Sequence, residues 1–303
     1  MNQTIRENGA IAFGEVLMDI FPAHQTIGGA PLNVACRLQS LGVDTGMISS
    51  VGLDDPGDDI RRFIKEKDLD VSLIQMNQKY PTGLVHVQLD ADKNATYDIV
   101  HPSAWDAIDL RTDDIDKVSR AELFIYGSLA TRSQQSYDTL QKLLPHAHYK
   151  VFDINLRPPH HTQEIVMMLM KKADFIKCNE EELEEISAAW GQVPISLRDK
   201  LIRLVEKTNT STICVTRGAA GAVLYTGANM YENSGYSVTV MDTVGSGDSF
   251  LAALLYQLIF RKETPQDALN FACAMGALVA THKGANAYIP PAEVRMFLQN
   301  ATS

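Results

Sequence analysis

The chain has 303 residues, 45% hydrophobic and 21% charged, a globular composition that can bury a large core in one α/β domain or two smaller ones. A net charge of -10 argues against a nucleic-acid backbone as partner, because that needs a basic face, while a nucleotide held by a local nest and a metal ion stays open. Cys36, Cys178, Cys214 and Cys273 lie far apart with no C-x-x-C spacing, so they read as buried free thiols of a reducing compartment. The opening MNQTIRENGA has no basic segment followed by an apolar core, and no apolar run approaches a membrane span. A soluble, cytoplasmic protein with no membrane partner is expected.

In chain order, AIAFGEVLMDIF (10–21) predicts one strand, with Asp19 at its end. A Gly-Gly pair follows, and Pro31 opens a helix that runs to Leu41 and stops at Gly42. DTGMISSVG (44–52) is the next strand, and 56–68 an amphipathic helix. GLVHVQLD (83–90) and ATYDIV (95–100) then alternate apolar and polar residues around the turn ADKN (91–94). That pattern predicts a β-hairpin with one face open to solvent or ligand.

From Glu122 the texture changes. ELFIYG (122–127), YKVFDI (149–154), DFIKCN (174–179) and STICVT (211–216) are short β-rich runs. Helical segments at 133–144, 163–171, 180–188 and 196–207 separate them. This alternation predicts a doubly wound, mostly parallel sheet with helices on both faces. GAVLYTG (221–227) and NMYEN (229–233) form a late meander, helices follow over 247–260 and 265–281, and a short helix closes the chain. No repeat or linker interrupts residues 1–303, so a single α/β domain is expected, with a small β-sheet drawn from about 14–32 and 84–104. Ligands of open α/β sheets bind beyond the carboxyl ends of the strands. DINLRP (153–158), CNEEE (178–182) and TRG (216–218) fall there.

The stretch MDTVGSGDSF (241–250) leads into the apolar run FLAALLYQLIF, so its end sits at a helix N-terminus. Free N–H groups and the helix dipole favour an anion at that point. Asp248 has two readings there: a helix cap, or a carboxylate facing a bound anion. Neither G-x-x-x-x-G-K-[ST] nor G-x-G-x-x-G occurs, so a phosphate would be held by another design.

DTVGSGDSF (242–250) resembles the second signature of the ribokinase/PfkB-type carbohydrate kinases, D-T-x-G-A-G-D, with Ser246 in place of alanine. GGAPLNVACRLQSLG (28–42), running on to Gly52, resembles the first. The likeness extends to KGANAYIP (283–290) and is nearest to the fructokinases. It implies a ribokinase-like fold with a β-sheet lid, and transfer of the γ-phosphate of ATP to a sugar hydroxyl. Asp248 would be the base and would touch the acceptor. Gly245, Ser246, Gly247 and the amide of Asp248 would form an anion hole. An ordinary ionised Asp248 suffices on this reading, and Gly247 is expected in a backbone that a β-branched residue resists.

The resemblance assigns further residues. Asp19, Gly28, Gly29 and Asn33 would bind sugar hydroxyls. Thr216, Gly218 and Gly221, in VTRGAAG (215–221), would form a nucleotide-binding turn, with Arg217 solvated. Asn179 and Glu182, spaced N-x-x-E, would hold Mg²⁺ and phosphate through water; alternatively they start a helix with acidic first-turn residues. Asp242, the carbonyl of Val244 and Gly284 match a region where relatives bind a monovalent cation such as K⁺. Arg157 would reach the acceptor or the transferred phosphate, or else pair with a carboxylate. The adjacent His160 and His161 do not converge on a metal. Fructose is the leading acceptor, with 2-keto-3-deoxygluconate, ribose or a nucleoside as alternatives. A sugar-binding regulatory protein without catalysis is the rival of another class. A homodimer through the lid is the expected assembly.

Overall fold

A computed structural model of the protein describes residues 7–22, 24–89, 95–190 and 196–301; the turn at 91–94 lies outside them. The first third holds β1 (Glu7–Phe13), β2 (Leu17–Ile20), β3 (Gln25–Gly28), α1 (Ala30–Ser40), β4 (Asp44–Gly52), α2 (Asp55–Glu66), β5 (Ile74–Asn77), β6 (Gly83–Leu89) and β7 (Ala95–Ile99). The middle holds α3 (Thr112–Arg120), β8 (Ala121–Gly127), α4 (Gln134–Leu143), β9 (Tyr149–Asp153), α5 (Gln163–Met170), β10 (Phe175–Asn179), α6 (Glu180–Ala188) and α7 (Leu197–Thr208). The last part holds β11 (Thr212–Thr216), β12 (Ala222–Thr226), β13 (Asn229–Asn233), α8 (Ser246–Leu255), α9 (Pro265–Ala280) and α10 (Pro291–Ala301). A π-helical turn, Tyr256–Phe260, extends α8.

The large sheet has the order β13-β12-β11-β10-β9-β8-β1-β4-β5. Every pairing from β5 to β11 is parallel, and β12 and β13 add antiparallel at one edge. Strand side chains alternate between faces. Ala10 and Ala12 of β1, with Leu123 and Ile125 of β8, pack under α1, α2, α8 and α9. Ile11 and Phe13, with Phe124 and Tyr126, pack on the opposite side against α3 to α7. Both faces are therefore buried, as a parallel sheet requires.

The stretch 10–21 is not one strand. The chain breaks between β1 and β2: Gly14 takes a φ of +146°, and a Cβ there would meet Pro31 at 2.9 Å. Ser49 Oγ donates to the Gly14 carbonyl at 2.6 Å and fixes the break. β2 leaves for a second, small sheet of order β3-β2-β6-β7. The expected hairpin is its β6–β7 pair. Among the described residues, this sheet's own buried cluster is Leu17, Val85 and Val87, with Phe21 and Ile99 packed against it.

β5 and α3 were not foreseen. β5 is a four-residue edge strand, and α3 has only Ile115 and Val118 as apolar residues in TDDIDKVSR. Neither carries enough pattern to be read locally. The four cysteines are buried and unpaired, as expected. Among the described residues, no helix is long and apolar enough to cross a membrane.

Candidate active site

The N-terminus of α8 lies beside β9 and β10 of the large sheet, where Lys177 Nζ comes within 3.8 Å of a Cβ placed on Gly247. Gly245 is its N-cap, in the left-handed conformation with φ 74°, and a Cβ there would meet Ala285 at 2.3 Å. A glycine is therefore required both by conformation and by close approach. Asp242 staples the loop: its Oδ1 accepts from the Val244 amide at 3.0 Å and its Oδ2 from the Gly284 amide at 2.9 Å. Asp242, Val244 and Gly284 are thus brought together, with both carboxylate oxygens engaged by backbone. Ser246 and Gly247 open the helix, and Ser246 Oγ is buried without a partner.

Asp248 lies in the first turn but does not cap the helix; no side chain caps α8. Its Oδ2 instead accepts from Asn33 Nδ2 of α1 at 2.8 Å. Asn286 Nδ2 donates to Asn33 Oδ1 at 3.1 Å, which orients the Asn33 amide with its NH₂ toward Asp248. Burial raises the Asp248 pKa to about 6, helped by the charge of Asp153 and opposed by Asn33, Lys177 and Arg157. An ordinary carboxyl would suffice for a base, yet the protein around Asp248 raises its pKa.

Gly247 needs correction. Its backbone is helical, without positive φ. What a side chain would do is occupy space in front of Lys177, whose Nζ lies 3.8 Å from an ideal Cβ. Lys177 lies in the middle of β10 and was missed in the sequence. Its Nζ donates to Asp153 Oδ1 at 2.9 Å, both groups being buried. Burial works against its charge, yet Asp153, Glu182 and Asp248 outweigh that and hold the ammonium above the usual lysine range. Asp153 Oδ2 is buried without a partner. A lysine inside a strand buried on both faces is the signal that could have found this pair.

Asp19 sits on β2, in the small sheet, and the glycine at 28 makes room for it: a Cβ on Gly28 would meet Asp19 Oδ2 at 2.6 Å. Burial lifts the Asp19 pKa to about 6, against the charge of Arg157. A Cβ on Gly29 would meet the Glu15 carbonyl at 2.4 Å. Glu15 was also missed. It is fully enclosed at the β1–β2 break, its Oε2 has no partner, and burial lifts its pKa to about 7 against the pull of Arg157. Arg157 is exposed, and its Nη1 donates to the Leu156 carbonyl at 2.8 Å rather than to a carboxylate. Its charge reaches Glu15, Asp19 and Asp248 together.

Asn179 and Glu182 form the capping box of α6, with reciprocal bonds of 2.8 Å. Glu182 Oε1 also accepts from the Leu156 amide at 2.9 Å. Burial is the first cause of a raised Glu182 pKa, and Lys177 opposes it. Thr216 ends β11, and Gly218 and Gly221 follow with φ of 56° and 82°. A Cβ on Gly221 would meet the Asn233 carbonyl at 2.0 Å. Arg217 is not solvated: it is partly buried, with Nη2 donating to the Asn233 carbonyl at 3.4 Å and Nε lacking a partner. His161 pairs with Glu185 at 2.9 Å. Among the described residues, no three His, Cys, Asp or Glu side chains are placed to hold a metal ion.

The arrangement sets a carboxylate, a row of helix-start amides and a buried ammonium around one point. A model of the pfkB family of carbohydrate kinases matches residues 1–292. The fructokinase of Klebsiella pneumoniae is 29% identical over 93% of this chain and 97% of its own length. The aminoimidazole riboside kinase of Salmonella typhimurium is 27% identical over 97% of this chain and 96% of its own. Among solved structures, a fructokinase from Vibrio cholerae O395 with fructose, ADP and calcium ion bound is 28% identical, with a TM-score of 0.84, covering 96% of this chain and 99% of that one.

Proposed function

Since the chain belongs to the pfkB family of carbohydrate kinases and is a phosphotransferase, we propose that it moves the γ-phosphate of ATP to D-fructose, giving fructose 6-phosphate. The observation that carries this reading is the placing of Asp248, the helix-start amides of Gly247 and Asp248 and the Lys177 ammonium beside one another; the Ser246 amide is taken by the Thr243 carbonyl at 3.2 Å and is left out of the expected anion hole. Asp248 takes the proton of the acceptor hydroxyl as the new P–O bond forms and the bond to ADP breaks. The transition state is loose, so positioning and charge stabilisation supply most of the rate. The helix-start amides and Lys177 meet the charge on the transferred group. Asn33 keeps Asp248 turned toward the acceptor.

Mg²⁺ bound with ATP would neutralise charge on its phosphates. The side chains present fit a water-held ion, not a protein cage, since no three-carboxylate cluster is available among the described residues. Asn179 and Glu182 are the residues that would hold it. Thr216, Gly218 and Gly221 would line the nucleotide side, and Asp242, Val244 and Gly284 a monovalent cation. Asp19, Gly28 and Gly29 would hold the sugar under the small sheet, which acts as a lid on the same domain.

Similarity to fructokinases supports fructose. Similarity to a riboside kinase supports a nucleoside-like acceptor as the second reading. Asp19 accepts paired hydroxyls and disfavours an acid. Arg157 favours one, and so keeps 2-keto-3-deoxygluconate in the comparison. The test is kcat/KM for fructose, ribose, 2-keto-3-deoxygluconate and aminoimidazole riboside at equal ATP and Mg²⁺. Fructose is expected to lead. A higher value for another acceptor overturns fructose and leaves the kinase standing.

A further inference from the structure

A second cavity, of about 240 Å³, lies away from Asp248 between α5 and α6. Val166 and Met167 of α5, Ile186 of α6 and Leu156 beneath give it apolar walls. Gln163, Glu164 and Glu185 line it as well, and so do His161 and Trp190, each of which has a buried ring nitrogen without a partner, Nδ1 and Nε1 respectively. Unpaired buried polar atoms are costly and rare. A ligand that satisfied both would relieve that cost.

The chemistry of the two atoms specifies the ligand. Glu185 Oε1 accepts from His161 Nε2 at 2.9 Å, and in the tautomer with its proton on Nε2 the ring offers a lone pair at Nδ1. Trp190 Nε1 can only donate. The site therefore asks for one donor and one acceptor, which a hydroxyl supplies together. Charge is disfavoured at both ends: Glu164 and Glu185 line the cavity, and Arg203 and Lys207 each lie 5.7 Å from the Trp190 ring centroid. A cavity of roughly 150 Å³ accepts benzene, so this one has space for one or two rings. We propose that the α5–α6 cavity is a binding site for a small, uncharged, hydroxylated aromatic molecule, with His161 and Trp190 as its polar contacts.

Phenol is the probe, and toluene its match without the hydroxyl. The indole N–H resonance of Trp190, assigned with Trp190→Phe, is followed by NMR in the full-length protein. Phenol should shift it saturably in the low-millimolar range, about what so small a ligand can reach. Toluene should bind about 10-fold more weakly, because a site that hydrogen-bonds a hydroxyl rejects the analogue lacking it. His161→Phe should bring phenol to within about 2-fold of toluene. Ala189→Leu, at the cavity rim, should weaken both probes. The proposal fails if phenol gives no saturable shift, if His161→Phe leaves the phenol preference intact, or if ATP and acceptor displace phenol by competition.

Discussion

The two sides of the cleft are built to different standards of rigidity. The side proposed to face the phosphate grows from a buried helix. Leu251 to Leu255 of α8 are all fully buried, and α8 lies against α1 and α9. Its loop is clamped at Gly245 by Ala285, at Asp242 by two backbone amides, and at Asp248 by Asn33 and Asn286. The side that carries Asp19 is a four-stranded sheet whose cluster, among the described residues, is Leu17, Val85 and Val87 with Phe21 and Ile99 packed against it. Few buried contacts make for a low local opening energy. The difference fits two tasks. Charge developing in a transition state is best met by dipoles already in place, and an acceptor site has to open and close.

Removing the carboxylate at the rigid side should have the largest effect. Asp248→Asn should fold, bind ATP and sugar, and lose about 10²–10⁴-fold in kcat. Near-normal turnover would take Asp248 out of catalysis. The same variant tests the cost of the site. The folded-state pKa of Asp248 is raised from 3.8 to about 6, so the native state binds this proton more tightly than the unfolded chain. Stability is therefore lost as pH rises from about 4 to 6, and the full penalty persists above. Asn removes it, so the variant should be more stable than the parent at pH 7, by about 1–2 kcal/mol, and not at pH 3. In the parent, kcat/KM should fall below about pH 6 as Asp248 protonates.

Next in size comes the buried ammonium. Lys177→Met should lower kcat by about 10²–10³-fold, the range for losing one transition-state donor. It should also destabilise the fold by about 3–5 kcal/mol, because Asp153 is left buried without its cation. Adding Asp153→Asn should recover much of that stability and none of the activity. Recovery of activity in the double variant would make Lys177 a structural residue. Gly247→Val should lose turnover with the fold kept, since the side chain projects toward Lys177 from an ordinary helical backbone.

Smaller effects belong to the side of the small sheet. Asp19→Ala should raise the fructose KM by about 10-fold or more, as the loss of hydrogen bonds to a charged group implies, and leave the ATP KM nearly unchanged. An equal rise in both would remove Asp19 from the acceptor site. Saturating fructose should slow amide exchange in 83–89 and 95–99 several-fold and hardly alter 249–255. An unchanged exchange profile in the small sheet would remove the lid and, with it, the contrast between the two sides.

Much of this was legible residue by residue. The strands 44–52, 149–153, 175–179 and 212–216, and the helices between the later ones, follow from local period and caps. The loop 242–248 announced a helix start with an exposed anion site, because glycines and a following apolar run encode that within ten positions. Its resemblance to a kinase signature carried the chemistry. What the local sequence could not carry was proximity. Asn33 and Asp248 are 215 positions apart, yet their bond aims the base. Lys177 and Asp153 each interrupt an apolar strand, and only the adjacent pairing of β9 and β10 makes them a buried ion pair. Glu15 looked like one polar residue in an apolar run, until the break at Gly14 enclosed it. Backbone preference acts between neighbours in the chain and is written there. Desolvation and charge act through space, so the raised pKa of Asp248 and the charge kept on Lys177 were decided only when distant strands and helices closed around them.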